Sequence, residues 1–219
     1  MTKKDFFDYN FKYAIFDLDG TCLDSMWLWE EVDRQFLGIR GYEVPDDYLE
    51  AISTIGFRAA AQYTIDRFGF SDTVEELMDE WTNMAIVKYE EEVRLKLGVK
   101  QYLEKLKKMG VKMVVATASF REMFVPALKN NGIYDLFDEF VTVDDVGKSK
   151  SFPDIYLRAA HIMGANPEET VVFEDVFEGI STASNAGFFT VGVKEPTSAC
   201  FEENIRKKSD VFIESFAKL

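Results

Sequence analysis

Tyr13-Ala14-Ile15-Phe16-Asp17-Leu18-Asp19-Gly20-Thr21 is the stretch on which the reading of this chain turns. The apolar run Tyr13–Phe16 predicts a strand buried on both faces, as strands of parallel sheets are. It ends abruptly in two aspartates one residue apart, followed by a glycine. Carboxylates at the C-terminal end of such a strand lie where open α/β sheets bind ligands. Side chains at i and i+2 of an extended chain point the same way. Asp17 and Asp19 therefore repel each other unless a cation or a network of donors joins them. A hard, oxygen-seeking ion such as Mg2+ meets that need. Gly20 lets the backbone turn tightly and approach an anion closely. Asp-Gly alone is also a common surface turn; the apolar strand in front of it turns the reading toward a site.

The chain has 219 residues, 47% hydrophobic and 15% aromatic, enough for one large domain or two modest ones around a sizeable core. A disordered chain would be far less apolar. The net charge of −14, from 39 acids and 25 bases, argues against nucleic acid and anionic membranes as partners, because both reward Lys/Arg patches. A small phosphorylated metabolite remains compatible, since one local cation can overcome the global sign. Cys22 and Cys200 are far apart and form no zinc spacing with His161, the only histidine. A reducing cytoplasm is the expected compartment. Residues 1–11 lack the apolar run of a signal peptide, and no stretch approaches the roughly 18 apolar residues of a membrane span. His161 falls in an amphipathic helix pattern closed by Gly164, so it is read as a helix-face residue without a catalytic role. Serine-hydrolase and histidine-phosphatase chemistry are thereby set aside.

Residues 1–11 read as a tail leading into the first strand. Residues 24–97 show no convincing apolar strand. They carry helical periodicity over 24–37, 46–55, 57–68 and 73–89, with Ser71-Asp72-Thr73-Val74-Glu75 as a helix start. Trp27, Trp29, Phe36, Tyr48, Phe57, Tyr63, Phe68 and Trp81 supply the apolar faces of a helical bundle. From Leu97 strands and helices alternate: strands over 111–116, 139–143, 170–173 and 188–193, helices over 98–109, 120–130, 153–163 and 177–185. Val211–Phe216 reads as an edge strand or a short terminal helix. The alternation predicts a doubly wound, Rossmann-like α/β core with a parallel sheet. Right-handed crossovers then bring the strand ends bearing Asp19, Thr117 and Asp175 to one edge.

Three further stretches end strands or start helices. In Val114-Val115-Ala116-Thr117-Ala118-Ser119 the Thr117 hydroxyl and the amides of Ala118 and Ser119 can donate to a phosphoryl oxygen, although Ser/Thr before a helix is commonly only a cap. In Lys148-Ser149-Lys150-Ser151-Phe152-Pro153-Asp154 a lysine can reach a phosphate or neutralise the aspartates; the bland account is a solvated loop. In Val171-Val172-Phe173-Glu174-Asp175 a strand again ends in acids, which with Asp17 and Asp19 suit octahedral Mg2+ or simply favour a helix N-terminus.

Taken together, the order acid pair, hydroxyl, lysine, acid pair resembles the four motifs of the haloacid dehalogenase superfamily, from about Lys12 to Val193. The third motif of that family is Lys-Pro-x-Pro-Asp; here Lys150 to Asp154 lacks the first proline, and Lys148 competes with Lys150. The resemblance implies that Asp17 is the nucleophile, Asp19 the general acid/base, and Thr117 and Lys150 the ligands of the phosphoryl group. It also implies that Asp17, Asp19, Glu174 and Asp175 hold Mg2+, with Gly20, Ala118 and Ser119 beside the substrate. The helical insert is similar to the cap of the subgroup containing β-phosphoglucomutase and small-molecule phosphatases, which gives a core of 1–21 and 98–219 and a cap of 22–97. Such a cap selects the leaving group and excludes water by closing. Arg58, after Ile55-Gly56-Phe57, is the expected cap residue facing substrate. The resemblance implies a Mg2+-dependent phosphatase acting on a small phosphorylated metabolite, such as a sugar phosphate, as a monomer. The rival enzyme is a phosphohexomutase. Those mutases carry a histidine where Trp29 stands and a lysine just after the second motif, where Phe120 and Arg121 stand. Outside enzymes, the rival is a catalytically silent phosphometabolite-binding module.

Overall fold

The structure is a computed structural model and describes residues 1–45, 47–53 and 57–219. Where a tail is expected, the chain opens with helix α1 (Lys3–Phe7). Thr2 and Asp5 form a reciprocal capping box, and Phe6 is buried against the rings of Phe11, Phe173 and Phe189. A cap and one buried aromatic suffice to hold five residues on the core; Thr2-x-x-Asp5 was the available signal. Strand β1 (Tyr13–Phe16) follows, then β2 (Leu23–Asp24), which pairs antiparallel with β3 (Arg94–Leu95). This short ladder corrects the expectation of no strand over 24–97: two residues per strand carry no readable periodicity.

The chain divides into two compact units, Met1–Met26 with Val93–Leu219, and Trp27–Glu92. The second unit is helical: α2 (Leu28–Ile39), α3 (Tyr48–Ser53), α4 (Phe57–Phe68) and α5 (Val74–Glu91). Thr73 and Glu76 form the capping box that starts α5. Val32, Phe36, Tyr48, Leu77 and Trp81 form its buried interior, with Phe36 set edge-on to Trp81. Helix α2 begins four residues later than its apolar pattern because β2 and a turn occupy 23–27. The ends of the expected helix 46–55 and the Ile55-Gly56 break lie outside the described residues.

The first unit continues with α6 (Val99–Lys108), β4 (Lys112–Thr117), α7 (Arg121–Asn130), β5 (Glu139–Thr142), α8 (Val143–Val146), α9 (Asp154–Met163), β6 (Thr170–Glu174), α10 (Phe177–Asn185), β7 (Phe189–Val193), α11 (Glu202–Lys208) and β8 (Val211–Ile213). These strands and β1 build a six-stranded sheet in the order β5-β4-β1-β6-β7-β8, parallel at every pairing. Of the two readings of the C-terminal segment, the edge strand is observed, followed by a short 3-10 turn at Phe216–Lys218. Helix α8 takes Val143 out of the expected strand because Thr142 caps a helix with Asp145. Helix α11 escaped the sequence reading because only Ile205 among its charged residues is buried.

The interior strands are apolar throughout because helices cover both faces. Ile15, Val114 and Val172 are fully buried, and Phe16 stacks on Phe173 at 4.5 Å between centroids. The register pairs Phe16 with both Val115 and Phe173, so the ends of β4, β1 and β6 lie side by side. The winding reverses between β1 and β6, the switch point where sheets of this kind bind ligands. Replacing the N-terminal anchor tests how far α1 supports the sheet. Phe6→Ala is expected to destabilise the chain by about 3 kcal/mol, read as a lower urea midpoint at unchanged slope.

Candidate active site

Asp17 follows β1 directly, and its backbone N–H donates to the Phe173 carbonyl at 3.0 Å. Its carboxylate is buried and accepts a short hydrogen bond from the Lys150 ammonium. Lys150 also donates to Glu174 Oε1 at 2.6 Å. The Tyr156 hydroxyl reaches the same oxygen at 3.0 Å, and the amides of Asp175 and Val176 donate to Oε2 at 3.0 and 3.2 Å. Glu174 is thus a buried anion with donors on both oxygens. Helix α10 approaches it closely because residue 179 is glycine: a Cβ there would lie 2.5 Å from Glu174 Oε1 and 2.8 Å from the Tyr156 oxygen.

Asp175 is satisfied on one side only. Oδ1 accepts from the Thr21 hydroxyl at 2.8 Å, whereas Oδ2 is buried without a hydrogen-bond partner. Gly20, at φ 76°, leaves room for this carboxylate, into which a Cβ would run. Burial pushes Asp17 up to about 7 despite Lys150. Burial also pushes Asp175 well above the usual carboxylate range, and repulsion from Glu174 and Asp17 adds to it. Burial works against the Lys150 ammonium, but Asp17 and Glu174 more than offset it and hold its pKa well above the ordinary value.

One ligand atom each from Asp17, Glu174 and Asp175 lies within 4.8 Å of the others. Lys150 is the cation paired within this group, which leaves uncompensated negative charge and an unpartnered carboxylate oxygen. Both are what a divalent cation would satisfy, and an all-oxygen donor set suits a hard one. The residues present therefore fit a divalent metal.

Asp19 is gripped from two sides: the Ser25 hydroxyl donates to Oδ1 at 2.6 Å and the Ser119 hydroxyl donates to Oδ2 in a short bond. The Ser119 side chain, expected beside substrate, is thus engaged with the second aspartate. Its amide donates to the Thr117 hydroxyl at 3.0 Å. Thr117 is buried at the end of β4. Asp17, Asp19, Ala118, Lys150 and Glu174 line one cleft of about 670 Å³. Lys148, the competitor for the third motif, lines the same cleft but pairs with Asp154 at 2.7 Å. Arg58 belongs to the helical unit, where it is exposed and paired with Glu75 at 2.5 Å.

Sequence reasoning gave no role to Ser25, Thr21 or Tyr156, although Thr21 closes the first quoted stretch and Tyr156 stands two residues beyond the third. It also passed over Lys96. That ammonium donates to the carbonyls of Gly20 and Lys194, each at 2.6 Å, and to Glu195 Oε2 at 2.8 Å. It ties the turn after β1 to the loop after β7.

The family model described as haloacid dehalogenase-like hydrolase matches residues 14–193. The chain belongs to the haloacid dehalogenase-like hydrolases. Within that family it is 30% identical to validoxylamine A 7'-phosphate phosphatase of Streptomyces hygroscopicus subsp. limoneus, over 84% of this chain and 85% of the relative. It is 27% identical to the phosphorylated carbohydrates phosphatase of Thermotoga maritima, over 80% and 81%. The solved β-phosphoglucomutase of Clostridium difficile shares the fold, with a TM-score of 0.71 at 22% identity over 95% of this chain and 93% of that one. Among the described residues no helix is long and apolar enough to cross a membrane.

Because ligands that bind only the folded state stabilise it, Mg2+ at a hundredfold excess over its Kd should add about 2.7 kcal/mol. The expected readout is a rise of several degrees in Tm, reversed by EDTA and lost in Asp175→Asn. An equal rise in that variant would place the cation elsewhere.

Proposed function

We propose that this hydrolase is a Mg2+-dependent phosphatase of small phosphorylated metabolites, sugar phosphates foremost, working through an aspartyl-phosphate. The observation that carries the reading is the pairing of buried Asp17 with Lys150 beside an Asp175 oxygen that no group of the chain satisfies. Asp17 attacks phosphorus in line, forming an Asp17–phosphorus bond as the ester oxygen leaves. Asp19 gives its proton to that oxygen, then takes one from water, whose oxygen attacks phosphorus and frees Asp17. Ser25 and Ser119, one on each oxygen of Asp19, hold it in line for both transfers. Lys150 and Thr117 donate to the equatorial oxygens, where charge sits in the transition state. Asp17, Asp175 and the Asp19 carbonyl, with Glu174 in support, would hold Mg2+, whose charge would screen the anionic nucleophile from the anionic substrate.

Hydrolysis is preferred to mutase chemistry because the cations available for a second phosphate are engaged. Arg121 donates to the Phe140 carbonyl at 2.9 Å and to Asp145 at 2.8 Å. Lys88 pairs with Glu31 and Glu92 at 3.6 and 3.3 Å. The likeness to a validoxylamine A 7'-phosphate phosphatase and to a phosphorylated carbohydrates phosphatase supports the substrate class. Arg58 stays a candidate substrate ligand of the helical unit, at the cost of its exposed pairing with Glu75, which is worth little.

The test is release of free phosphate from a panel of phosphorylated metabolites with Mg2+. Asp17→Asn, nearly isosteric but not nucleophilic, should lower kcat by more than about 10⁴-fold with the fold intact. Asp19→Asn should accumulate phosphoprotein from a substrate with a good leaving group. With β-glucose 1-phosphate and a trace of the bisphosphate, free phosphate should outrun glucose 6-phosphate. The reverse order would make the protein a mutase.

A further inference from the structure

The helical unit holds a cavity of its own, of about 400 Å³. Among the described residues its walls carry the rings of Trp29, Phe57 and Trp81, and its acids are Glu30 and Asp33. The rings form a continuous surface. Trp29 meets Phe57 edge-on at 5.2 Å between centroids, and Phe57 meets Trp81 at 5.7 Å. The rest of the lining is aliphatic. A cavity of this volume, mostly apolar with a few convergent polar groups, has the make-up of a small-molecule site.

Asp33 is the group that needs explaining. It is only 6% exposed. Its Oδ1 accepts from the Tyr48 hydroxyl at 3.2 Å, and among the described residues it has no other hydrogen bond and no cation pairs with it. The nearby arginines are committed: Arg34 to Glu30, Arg67 to Asp47. The protons behind Asp33 are also too few. The Thr64 hydroxyl donates to the Ala60 carbonyl at 2.8 Å and the Tyr48 hydroxyl to Asp33, so the 2.8 Å contact between Tyr48 and Thr64 has no proton of its own. All three contacts are hydrogen-bonded together only if Asp33 supplies a third proton. Burial accordingly pushes its pKa up to about 7. A buried carboxyl without a counter-charge lacks its natural complement, and aromatic faces attract the same complement, a cation.

We propose that this cavity binds the ammonium group of a small organic cation, with the Asp33 carboxylate as counter-ion and the Trp29, Phe57 and Trp81 rings around its hydrocarbon. When Asp33 ionises, Tyr48 donates to it and the Thr64 hydroxyl donates to the Ala60 carbonyl or to Tyr48. The proposal concerns the helical unit and does not depend on the reaction.

The whole chain is titrated with choline and with 3,3-dimethylbutan-1-ol, its neutral isostere, by tryptophan fluorescence; two of the three tryptophans line the cavity. Choline is expected to bind at least about tenfold more tightly than the alcohol. Asp33→Asn, which keeps an acceptor for Tyr48, should bring the two ligands within about twofold of each other. Equal binding of both ligands, a preference that survives Asp33→Asn, or no saturable choline signal would overturn the proposal. Parallel hydrolysis of phosphocholine and 3,3-dimethylbutyl phosphate identifies the source of the cation. A preference for phosphocholine that Asp33→Asn removes makes it part of the substrate, while choline binding without that preference makes it a free ligand; both support the site. Absence of any phosphomonoester hydrolysis would count against the phosphatase and leave the choline titration to decide the cavity.

Discussion

Three buried carboxylates, Asp17, Glu174 and Asp175, crowd together at the C-terminal edge of the sheet, and the Lys150 ammonium pairs with two of them, Asp17 and Glu174. Like charges at such spacing cannot all ionise without compensation, and the local architecture follows from that constraint. The order β4-β1-β6 sets three strand ends side by side. Residues 20 and 179 are glycines because carboxylates occupy the space their side chains would fill. Tyr156 and two backbone amides take up the charge of Glu174, which frees Lys150 to bridge to Asp17. What remains is one open oxygen on Asp175 and a demand for positive charge that the chain does not meet.

The fold and the centre of this site were legible because an apolar run that stops at an acid is a strong one-dimensional signal. Tyr13–Phe16 before Asp17 and Val171–Phe173 before Glu174 needed no tertiary knowledge. The supporting groups were not legible. Thr21 finds Asp175 across 154 residues and Ser119 finds Asp19 across 100; a hydroxyl carries no mark of its distant partner. Tyr156 falls on an ordinary helix pattern, and its role depends on α9 packing across β1, β4 and β5 so that its hydroxyl reaches Glu174, which spacing alone does not give. Helices α8 and α11 were missed for opposite reasons, one too short for a period and the other too charged to show an apolar face.

Lys96 shows how far support reaches behind the reacting groups. An ammonium has three donors, and here all three are used, on Gly20, Lys194 and Glu195. Glu195 is buried and is fixed by Thr197 through its other oxygen, so the lysine grips a rigid partner. Its own amide donates to the Cys22 carbonyl at 3.0 Å beside the β2–β3 ladder. The turn carrying Asp19 is therefore held from the returning strand as well as from β1. Breaking one partner of so buried a pair would strand the other charge, so the tie resists piecemeal change.

The buried and half-buried acids of this chain divide by how completely the chain satisfies them, and that division separates scaffold from site. Glu174 has donors on both oxygens and acts as a fixed anion. Asp19 has a serine hydroxyl on each oxygen and is held in one orientation. Asp175 has one oxygen engaged and the other buried without a partner, and Asp33 has one oxygen engaged by Tyr48 and no cation paired with it among the described residues. A fold rarely leaves a buried polar group half-satisfied unless something else completes it. Around Asp175 the neighbours are carboxylates, and the missing partner is a hard dication. Around Asp33 they are aromatic rings, and the same physical deficit calls instead for a soft organic cation: the surroundings of an unmet charge, more than the charge itself, decide what the protein binds.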